Sequence, residues 1–178
     1  MEMLLHICCA PCATYTVQAL RDEGFDPLGY FYNPYIHPFT EYRRRLETLQ
    51  QYAGAVELEV VYRDEYLLEE FVKQALEVED RCHLCYTTRL EAAARQASDR
   101  GISLFTTTLL ISPYQKHEMI KDIAVGLASD YGVEFHYRDY RPGYKETYQM
   151  CRDMGLYRQP YCGCIFSEKE RYFRTSVD

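Results

Sequence analysis

The chain has 178 residues, of which 47% are hydrophobic, 26% charged and 15% aromatic, a composition typical of globular proteins rather than disordered or fibrous ones. The net charge of −7 argues against nonspecific binding of nucleic acid through bulk charge. The acidic first residues do not resemble a signal peptide, and no stretch reaches the ~20 apolar residues of a membrane span. We therefore expect a cytoplasmic protein with no membrane association, whose thiols stay reduced and unpaired.

Short apolar runs alternate with helical patterns along most of the chain. In chain order, the pattern predicts strand 3–8, helix 12–23, strand 25–32, helix 39–52, strand 56–62, helix 64–79, helix 81–98, strand 103–110, helix 112–131 and strand 133–137. Ser112 and Pro113 have the residue types of a helix cap and first turn, and we expect them to open the last of these helices. From about residue 143, two short helices are predicted around the loop 161–164.

This alternation predicts an α/β protein, a single domain over 1–178 with a C-terminal helical extension from about 143. We expect a mostly parallel five-stranded sheet with helices on both faces. Ligands of such doubly wound folds lie outside the carboxyl ends of the strands. Cys8, Asn33 and Ser112 follow three predicted strands, so they should meet at this edge. The first strand is followed by cysteines, where a nucleotide-binding fold would have a glycine-rich phosphate loop.

Seven of the eight cysteines fall into three groups. Two residues separate Cys9 from Cys12 and Cys82 from Cys85, a spacing that lets both thiolates of a pair bind one metal. We expect all seven to be metal ligands at one site: Cys8, Cys9, Cys12, Cys82, Cys85, Cys162 and Cys164. Seven thiolates divide into four, enough for a closed zinc site or an iron–sulfur cluster, and three, which leave a coordination position open. Cys151 stands apart in a helical pattern and is expected to be a buried apolar side chain.

Two other uses of cysteine remain open at this point. A thioredoxin-like redox pair explains one Cys-x-x-Cys and leaves the other groups unexplained. A structural zinc site is saturated by four ligands. The spacing alone does not divide the seven ligands between two centres.

Basic residues are concentrated in two places of this acidic chain. One is Arg43-Arg44-Arg45, and the other is the C-terminal segment from Arg138 to Arg174. Solvated helix faces explain either cluster by itself, whereas a local phosphate-binding patch is the functional alternative. The 18 tyrosines are mainly packing residues, although exposed tyrosine also stacks on unpaired bases.

An ordered set of motifs gives the chain a family resemblance from about residue 4 to residue 170. The motifs are Leu5-His6-Ile7-Cys8-Cys9-Ala10-Pro11, Tyr32-Asn33-Pro34 with Ile36-His37-Pro38, Arg81-Cys82 with Cys85, Thr107-Thr108-Leu109-Leu110 with Ser112-Pro113, and Tyr157-Arg158-Gln159 with Tyr161-Cys162-Gly163-Cys164. Together they resemble the QueH-type epoxyqueuosine reductases.

The resemblance implies a Rossmann-like fold of the HUP kind and the last step of queuosine synthesis. In that step the epoxide of epoxyqueuosine, at the wobble position of a tRNA, is reduced without cobalamin. It also implies a [4Fe-4S] cluster beside a mononuclear metal, iron in the family, with zinc possible in purified protein. Some members have Asp where Cys12 stands here, and this chain has Tyr35 and Pro160 where Asn is expected.

The resemblance and the strand-end positions together suggest roles for individual residues. Cys12 is expected to ligate the second metal, while Lys116 and His117 would give a proton or hold a phosphate. The substrate residues are expected to be Asn33, Ser112, Gln115 and Arg158. The partners are the modified tRNA and an electron donor that the sequence does not identify.

Two other function classes compete with this interpretation. A tRNA sulfur-transfer enzyme of the ATP-pyrophosphatase kind would share the fold, but it needs a Ser-Gly-Gly-type loop that is missing after the first strand. A noncatalytic zinc module that binds RNA would use the same cysteines without redox chemistry.

Overall fold

Five parallel strands form one sheet with the order β3-β2-β1-β4-β5 in the computed structural model, which describes residues 1–173. The strands are β1 (Glu2–His6), β2 (Asp26–Phe31), β3 (Val60–Tyr62), β4 (Leu104–Thr107) and β5 (Glu134–Phe135). The helices are α1 (Ala10–Asp22), α2 (Phe39–Ala55), α3 (Leu68–Glu77), α4 (Arg81–Asp99), α5 (His117–Tyr131), α6 (Glu146–Asp153) and α7 (Ile165–Tyr172). Short 3-10 helices span Thr108–Ile111 and Arg141–Gly143.

Strand β1 is the centre of the sheet and sets the register of its neighbours. Leu4 pairs with Leu28 of β2 on one side and with Phe105 of β4 on the other. The chain first adds strands on the β2 side and then returns to add β4 and β5, so the strand order reverses beside β1. Such a reversal leaves a crevice at the carboxyl edge, where ligands of open α/β sheets bind.

The helices that cover the sheet bury its apolar residues. Met3, Leu4 and Leu5 of β1 are fully buried, as expected for a central parallel strand covered on both faces. Helix α4 packs against α5, whereas α1 packs against α2 and α6. The predicted Rossmann-like α/β fold is therefore confirmed. Within residues 1–173, none of the helices has the length and apolar character needed to cross a lipid bilayer.

The segment after β4 differs from the sequence prediction. Strand β4 ends at Thr107, the chain then makes the 3-10 helix, and α5 begins at His117 rather than Ser112. The Ser112 hydroxyl accepts a hydrogen bond from the backbone N–H of Tyr114, so Ser112 and Pro113 stabilise a local turn instead of a helix start. Both residue types suit turns as well as helix ends, and the sequence did not distinguish the two.

Two predictions for the C-terminal segment have separate outcomes. Helices α6 and α7 flank the loop 161–164, which confirms the two short helices. Arg174 and the predicted helical end beyond residue 173 lie outside the described residues.

We expect a side chain at Gly143 to destabilise the protein. A Cβ at this position would lie 2.2 Å from the ring of Tyr15 on α1, so the ring or the 3-10 helix must move. Gly143→Ala should lower the free energy of unfolding by about 1–3 kcal/mol, the usual cost of overpacking. Denaturant unfolding of the metal-free protein measures it.

Gly126→Ala is the matched control, because Gly126 lies inside α5 and a methyl group added there would have no neighbouring atom within 4 Å. That substitution should raise stability by about 0.4–1 kcal/mol. Equal effects of the two alanines would contradict the packing described for Gly143.

Candidate metal and substrate site

A cavity of about 400 Å³ opens at the carboxyl edge of the sheet. Its walls are the β1–α1 turn, the segment 109–115, helix α6 and the loop 158–162. Cysteines from two of the three sequence groups line it, namely Cys8, Cys12 and Cys162. The volume is within the range of small-molecule sites, and the position is the one that the reversal of strand order predicts.

Cys8, Cys9 and Cys12 form a compact cluster of three thiols at the end of β1. Their sulfur atoms all lie within 4.8 Å of one another, and all three side chains are buried. Cys9 is the N-cap of α1, and Cys12 lies in the first turn of that helix. The tight turn after the central strand brings the three sulfurs to one point. Within residues 1–173, no other three sulfur, imidazole or carboxylate ligand atoms lie within 4.8 Å of one another.

Polar groups from distant parts of the chain donate hydrogen bonds to these sulfurs. The Thr108 hydroxyl lies 3.3 Å from the Cys8 sulfur and accepts the backbone N–H of Cys8. The Gln159 amide donates to the Cys9 sulfur at 3.0 Å. Donors of this kind stabilise thiolates and tune thiolate-bound metals. These donors would favour thiolates at Cys8 and Cys9, although burial raises the pKa of the Cys9 thiol in the metal-free cluster.

In the metal-free cluster, Cys8 is the thiol that ionises first. Hydrogen bonds from the Cys12 and Cys9 thiols lower the pKa of Cys8 well below its usual value. The same hydrogen bonds raise the pKa of Cys12. The dipole at a helix N-terminus ordinarily lowers the pKa of a thiol in the first turn. At Cys12 the hydrogen bonds with Cys8 and Cys9 have the larger influence and raise the pKa of the thiol.

The other four cysteines lie where the starts of α4 and α7 approach each other. Cys82 and Cys85 are in the first turns of α4, and Cys164 is the N-cap of α7. Cys85 and Cys164 belong to the same small apolar cluster. Burial raises the pKa of Cys85 to about 12, with Cys162, Cys164 and Cys82 adding to this effect. The four thiols are thus neighbours, although no three of their sulfur atoms lie within 4.8 Å of one another, as those of the first cluster do.

The side chain of Arg45 holds the Cys-Gly-Cys loop in place. Its guanidinium is almost fully buried and donates to the carbonyl oxygens of Cys162 at 2.8 Å and Tyr161 at 3.0 Å. Glu41, one helical turn earlier, accepts from Arg45 at 2.7 Å and from the hydroxyl of Tyr157 at 2.7 Å. One residue of the predicted basic cluster is therefore an internal clamp rather than a solvated charge.

The segment before α2 supplies a second set of bonds to this loop. The backbone N–H of His37 donates to the carbonyl oxygen of Gly163 at 2.8 Å, and the Nδ1 atom of His37 accepts from the backbone N–H of Ile165 at 3.3 Å. The Tyr161 hydroxyl donates to the His37 carbonyl oxygen. These bonds join residues more than 120 positions apart and bring Cys162 to the cavity.

Gln115 links the cavity to the four-cysteine group. Its amide donates to the Cys162 sulfur at 3.3 Å, while its carbonyl oxygen accepts from the Tyr86 hydroxyl at 2.6 Å. Tyr86 lies on α4 one turn after Cys82, so the helix that carries two cysteines also orients Gln115. We predicted Gln115 as a substrate residue, and the structure gives it a contact with sulfur at the cavity wall.

The structure places three of the four predicted substrate residues at the cavity. Ser112, Gln115 and Arg158 line it. Asn33 is fully buried outside the lining and donates to the carbonyl oxygen of Ile7 at 2.8 Å, so it joins the ends of β1 and β2. Their roles toward a substrate stay predictions.

The two positions with unexpected residue types also differ in their surroundings. Pro160 lines the cavity. Tyr35 is buried and its ring packs against that of Phe71, with 4.5 Å between centroids. A tyrosine at this position therefore extends the apolar packing near Cys85, away from the cavity wall.

Lys116 and His117 have other contacts than the cavity. The Lys116 ammonium binds the Asp80 carboxylate at 2.6 Å and is about half exposed. His117 is buried, and its Nε2 atom lies 3.3 Å from the Ser112 carbonyl oxygen. We expected both residues in the first turn of a helix that begins at Ser112. Because α5 begins at His117 instead, neither side chain lines the cavity. Their catalytic assignment stays a prediction without geometric support.

Tyrosines and one arginine form the outer wall of the cavity, which we call the aromatic rim: Tyr114, Tyr144, Tyr148 and Arg158. Tyr114 is 81% exposed and meets Tyr144 edge to face at 6.0 Å. The Arg158 guanidinium stacks 3.5 Å from the centre of the Tyr148 ring and donates to the Thr147 hydroxyl. The exposed ring faces suit stacking with a planar ligand.

Sequence reasoning did not identify several residues that shape this site: Arg45, Arg89, Thr108 and Gln159. Arg89 follows Cys82 and Cys85 at helical spacing, which places the three on one face of α4. This spacing could have indicated that Arg89 lies beside the two cysteines. Thr108 and Gln159 lay within quoted motifs, but their contacts with sulfur depend on tertiary structure.

We expect Gly163 to be essential for the shape of the Cys-Gly-Cys loop. Its φ is +151°, and a Cβ would lie 3.2 Å from Nη1 of Arg45. Gly163→Ala should therefore loosen the Arg45 clamp and raise the rate at which iodoacetamide alkylates Cys164 in the reduced, metal-free protein. Mass spectrometry of digested samples gives the rate for each cysteine.

Gly132→Ala is the matched control. Gly132 ends α5 with a φ of +66° and has nothing within 4 Å of a Cβ. Its substitution should cost about 1 kcal/mol of stability through backbone strain and leave Cys164 labelling as in the parent. Faster labelling in both variants would mean that global loosening, rather than the clamp, controls access.

Comparison with known proteins identifies the family of this chain. The model of the family "Epoxyqueuosine reductase QueH" matches residues 3–170. Proteins named epoxyqueuosine reductase QueH are 38% identical in Dehalococcoides mccartyi, covering 96% of this chain and 94% of the relative, and 39% identical in Thermotoga maritima, covering 95% and 91%.

A solved structure extends the comparison to the fold alone. A predicted subunit of a tRNA methyltransferase from Methanocaldococcus jannaschii superposes with a TM-score of 0.52 at 15% identity, covering 84% of this chain and 74% of that one. The match of the family model over nearly all of the chain, together with these relatives, shows that the chain belongs to the epoxyqueuosine reductase QueH family.

Proposed function

We propose that this protein is an oxidoreductase that converts the epoxide of epoxyqueuosine in tRNA to the alkene of queuosine. The observation that carries the proposal is the cavity lined by Cys8, Cys12 and Cys162, in a chain of this family. The reaction breaks two C–O bonds, consumes two electrons and two protons, and releases one water molecule. The site must therefore admit a nucleoside, supply electrons and supply protons.

The thiols support two metal centres of different kinds. Cys8, Cys9 and Cys12 would form a three-thiolate site, and Cys8 and Cys12 line the cavity; three protein ligands leave a coordination position for a substrate atom. Cys82, Cys85, Cys162 and Cys164 supply the four thiolates of a [4Fe-4S] cluster. Sulfur ligands select iron or zinc over magnesium or calcium. When bound, the cluster would deliver electrons and the open metal would act as a Lewis acid on the epoxide oxygen.

The fit of these centres is tested by the groups that surround the sulfurs. Thr108 and Gln159 donate hydrogen bonds to the three-cysteine site, and Gln115 donates to Cys162 of the four-cysteine group. Hydrogen-bond donors of this kind orient metal-bound thiolates and tune the metal that they hold. Two helix N-termini at the four cysteines add favourable dipoles. The residues present therefore fit both metal centres.

Protons have to reach the cavity through groups on its wall or through water. The hydroxyls of Ser112, Tyr144 and Tyr148 are on that wall. The Tyr144 and Tyr148 hydroxyls are 3.3 Å apart, and this contact, with Arg158 nearby, lowers the pKa of Tyr148. A phenol with a lowered pKa is a better general acid. Tyr148 is therefore a stronger candidate than Lys116 or His117 for proton delivery.

The aromatic rim supports a nucleic-acid substrate. A base at the wobble position must leave the stack of the anticodon loop to enter a recessed site. Tyr114 and Tyr148 then provide ring faces for that base or its neighbours, and Arg158 supplies positive charge at the mouth. Because the chain is acidic overall, we expect only about two to four phosphate contacts and a shallow dependence of affinity on salt.

The alternative classes receive less support from the geometry. The β1–α1 turn contains three cysteines where an ATP phosphate loop would have glycines, and its Cys8 N–H is already bonded to Thr108. A noncatalytic zinc module would not need three thiols facing a cavity. Zinc without absorption near 400 nm in anaerobically purified protein would nevertheless favour that module.

The assignment of cysteines predicts two separable losses of metal. After anaerobic reconstitution, Cys12→Ala should lose the iron that is not accompanied by sulfide and keep the cluster. Cys85→Ala should lose most of the acid-labile sulfide and the iron that goes with it. Iron and sulfide per chain, measured with the visible absorption of the cluster, distinguish the two.

Two further variants sharpen this test. Cys12→Asp should retain the second metal, because a carboxylate is also an anionic metal ligand. Cys151→Ala removes a buried thiol outside both groups and should have parental metal content. Loss of sulfide in Cys12→Ala would contradict the division of ligands.

The reaction is tested directly by incubating the reconstituted protein with reductant and tRNA that carries epoxyqueuosine. Nucleoside mass spectrometry should show a product that has lost one oxygen atom. The Cys12→Ala variant should lose at least a hundredfold in rate. Unchanged substrate with a fully loaded protein would disprove the proposed reaction.

The aromatic rim predicts a specific loss of tRNA affinity. Tyr114→Ala should weaken binding of an anticodon stem-loop about 5- to 150-fold, the range of ~1–3 kcal/mol for one stacked base. Tyr114→Phe should bind as the parent does. Tyr131→Ala, at the far end of α5, is the control. Equal binding by Tyr114→Ala and the parent would place the RNA elsewhere.

A further inference from the structure

A buried arginine lies between the two groups of cysteines. Arg89 is only 2% exposed, and it extends from α4 to the cavity wall that Cys8 and Cys162 share. Its Nε atom has no hydrogen-bond partner among residues 1–173. The other arginine on this wall near the loop, Arg45, is by contrast satisfied by Glu41 and two carbonyl oxygens.

The groups that face this charge are sulfurs. Arg89 lines the same cavity as Cys8 and Cys162 and lies one helical turn after Cys85 on α4. Burial lowers the pKa of its guanidinium, whereas Cys85, Cys162 and Cys8, followed by Tyr86, raise it. Within residues 1–173, Arg89 forms no salt bridge with a carboxylate.

A buried cation without an anion is strongly unfavourable, at several kcal/mol even after relaxation. Protonated thiols do not compensate it, whereas metal-bound thiolates carry full negative charge. The two sulfur groups together would carry more negative charge than their metals neutralise, since four thiolates on a [4Fe-4S] cluster give a net anion. The positive charge of Arg89 and the net negative charge of the metal-loaded sulfur centres would therefore compensate each other.

We propose that Arg89 is the shared counter-cation of the two sulfur centres: it stabilises their metal-loaded forms and raises the reduction potential of the four-cysteine centre. The inference rests on the metal centres of the proposed function and concerns a residue that holds no metal itself. A nearby positive charge favours the reduced, more negative form of a cluster. Arg89 is thus a positioning and charge-compensating residue, with no contact to substrate required.

Two variants separate charge from shape. Arg89→Met removes the charge and keeps much of the apolar stem, whereas Arg89→Lys keeps the charge. With reconstituted protein and no tRNA, a redox titration followed by electron paramagnetic resonance should show Arg89→Met at a lower midpoint potential. We expect the reduced-to-oxidised ratio at fixed potential to fall about tenfold or more, which is about 59 mV for one electron, and Arg89→Lys to stay closer to the parent.

Stability measurements provide a readout that a purely structural role would not give. Metal-free Arg89→Met should unfold at the same or higher denaturant concentration than metal-free parent, because the uncompensated cation is gone. The extra stability gained on metal loading should be smaller in Arg89→Met. If metal-free Arg89→Met is instead the less stable protein and its potential is unchanged, Arg89 is structural and the proposal is overturned.

The remaining outcomes are also decisive. If Arg89→Met does not retain a cluster, metal-free stability and the potential of Arg89→Lys still decide between the two roles. If the parent holds only zinc, competition with a chelator should show weaker zinc binding in Arg89→Met, and equal binding would overturn the proposal. A loaded parent that does not reduce the epoxide would disprove the proposed function while leaving this test intact.

Discussion

The site depends on the attachment of the loop 159–165 to the beginning of the chain. Arg45 and His37 hold the backbone of this loop, and Gln159 reaches the sulfur of Cys9, 150 residues earlier. Without these bonds the cavity would lack one wall, and Cys162 would not face Cys8. The ion pair of Glu41 and Arg45 is buried, so it is costly unless every donor is satisfied. The carbonyl oxygens of the loop accept the remaining hydrogen bonds of the Arg45 guanidinium. The ion pair and the loop conformation therefore depend on each other.

The electrostatic design of the site follows from its position at the carboxyl edge of a parallel sheet. Parallel strands end together there, and helices α1, α4 and α7 begin near it. Their N-termini present unsatisfied N–H groups and favour negative charge. Cysteines in these first turns therefore ionise readily once a metal binds. The same edge in nucleotide-binding proteins of this fold class serves phosphate, so one backbone arrangement supports two chemistries, selected by the residues of the turn after β1.

Much of the fold could be predicted because it depends on local pattern. The five strands, the two C-terminal helices and the grouping of the cysteines follow from periodicity and spacing, and the early cysteines lie at the strand end as expected. The predicted start of α5 was wrong, because Ser112-Pro113 suits a turn as well as a helix cap. Contacts such as Gln115 with Cys162 and Asn33 with Ile7 could not be predicted. They depend on which loops meet across the sheet, and a single sequence contains no periodic signal for this.

The order of the site elements along the chain has a consequence for biosynthesis. The three-cysteine turn and the first two strands leave the ribosome early, but Cys162 follows Cys12 only after 150 further positions. Contacts of such long sequence separation form late in folding, and domains generally fold as units during synthesis. A nascent chain therefore carries an exposed cysteine trio before its partner loop exists. The proposed metal centres would therefore be completed only after Cys162 and Cys164 have been synthesised, and oxidation of the early thiols is the hazard that the growing chain faces.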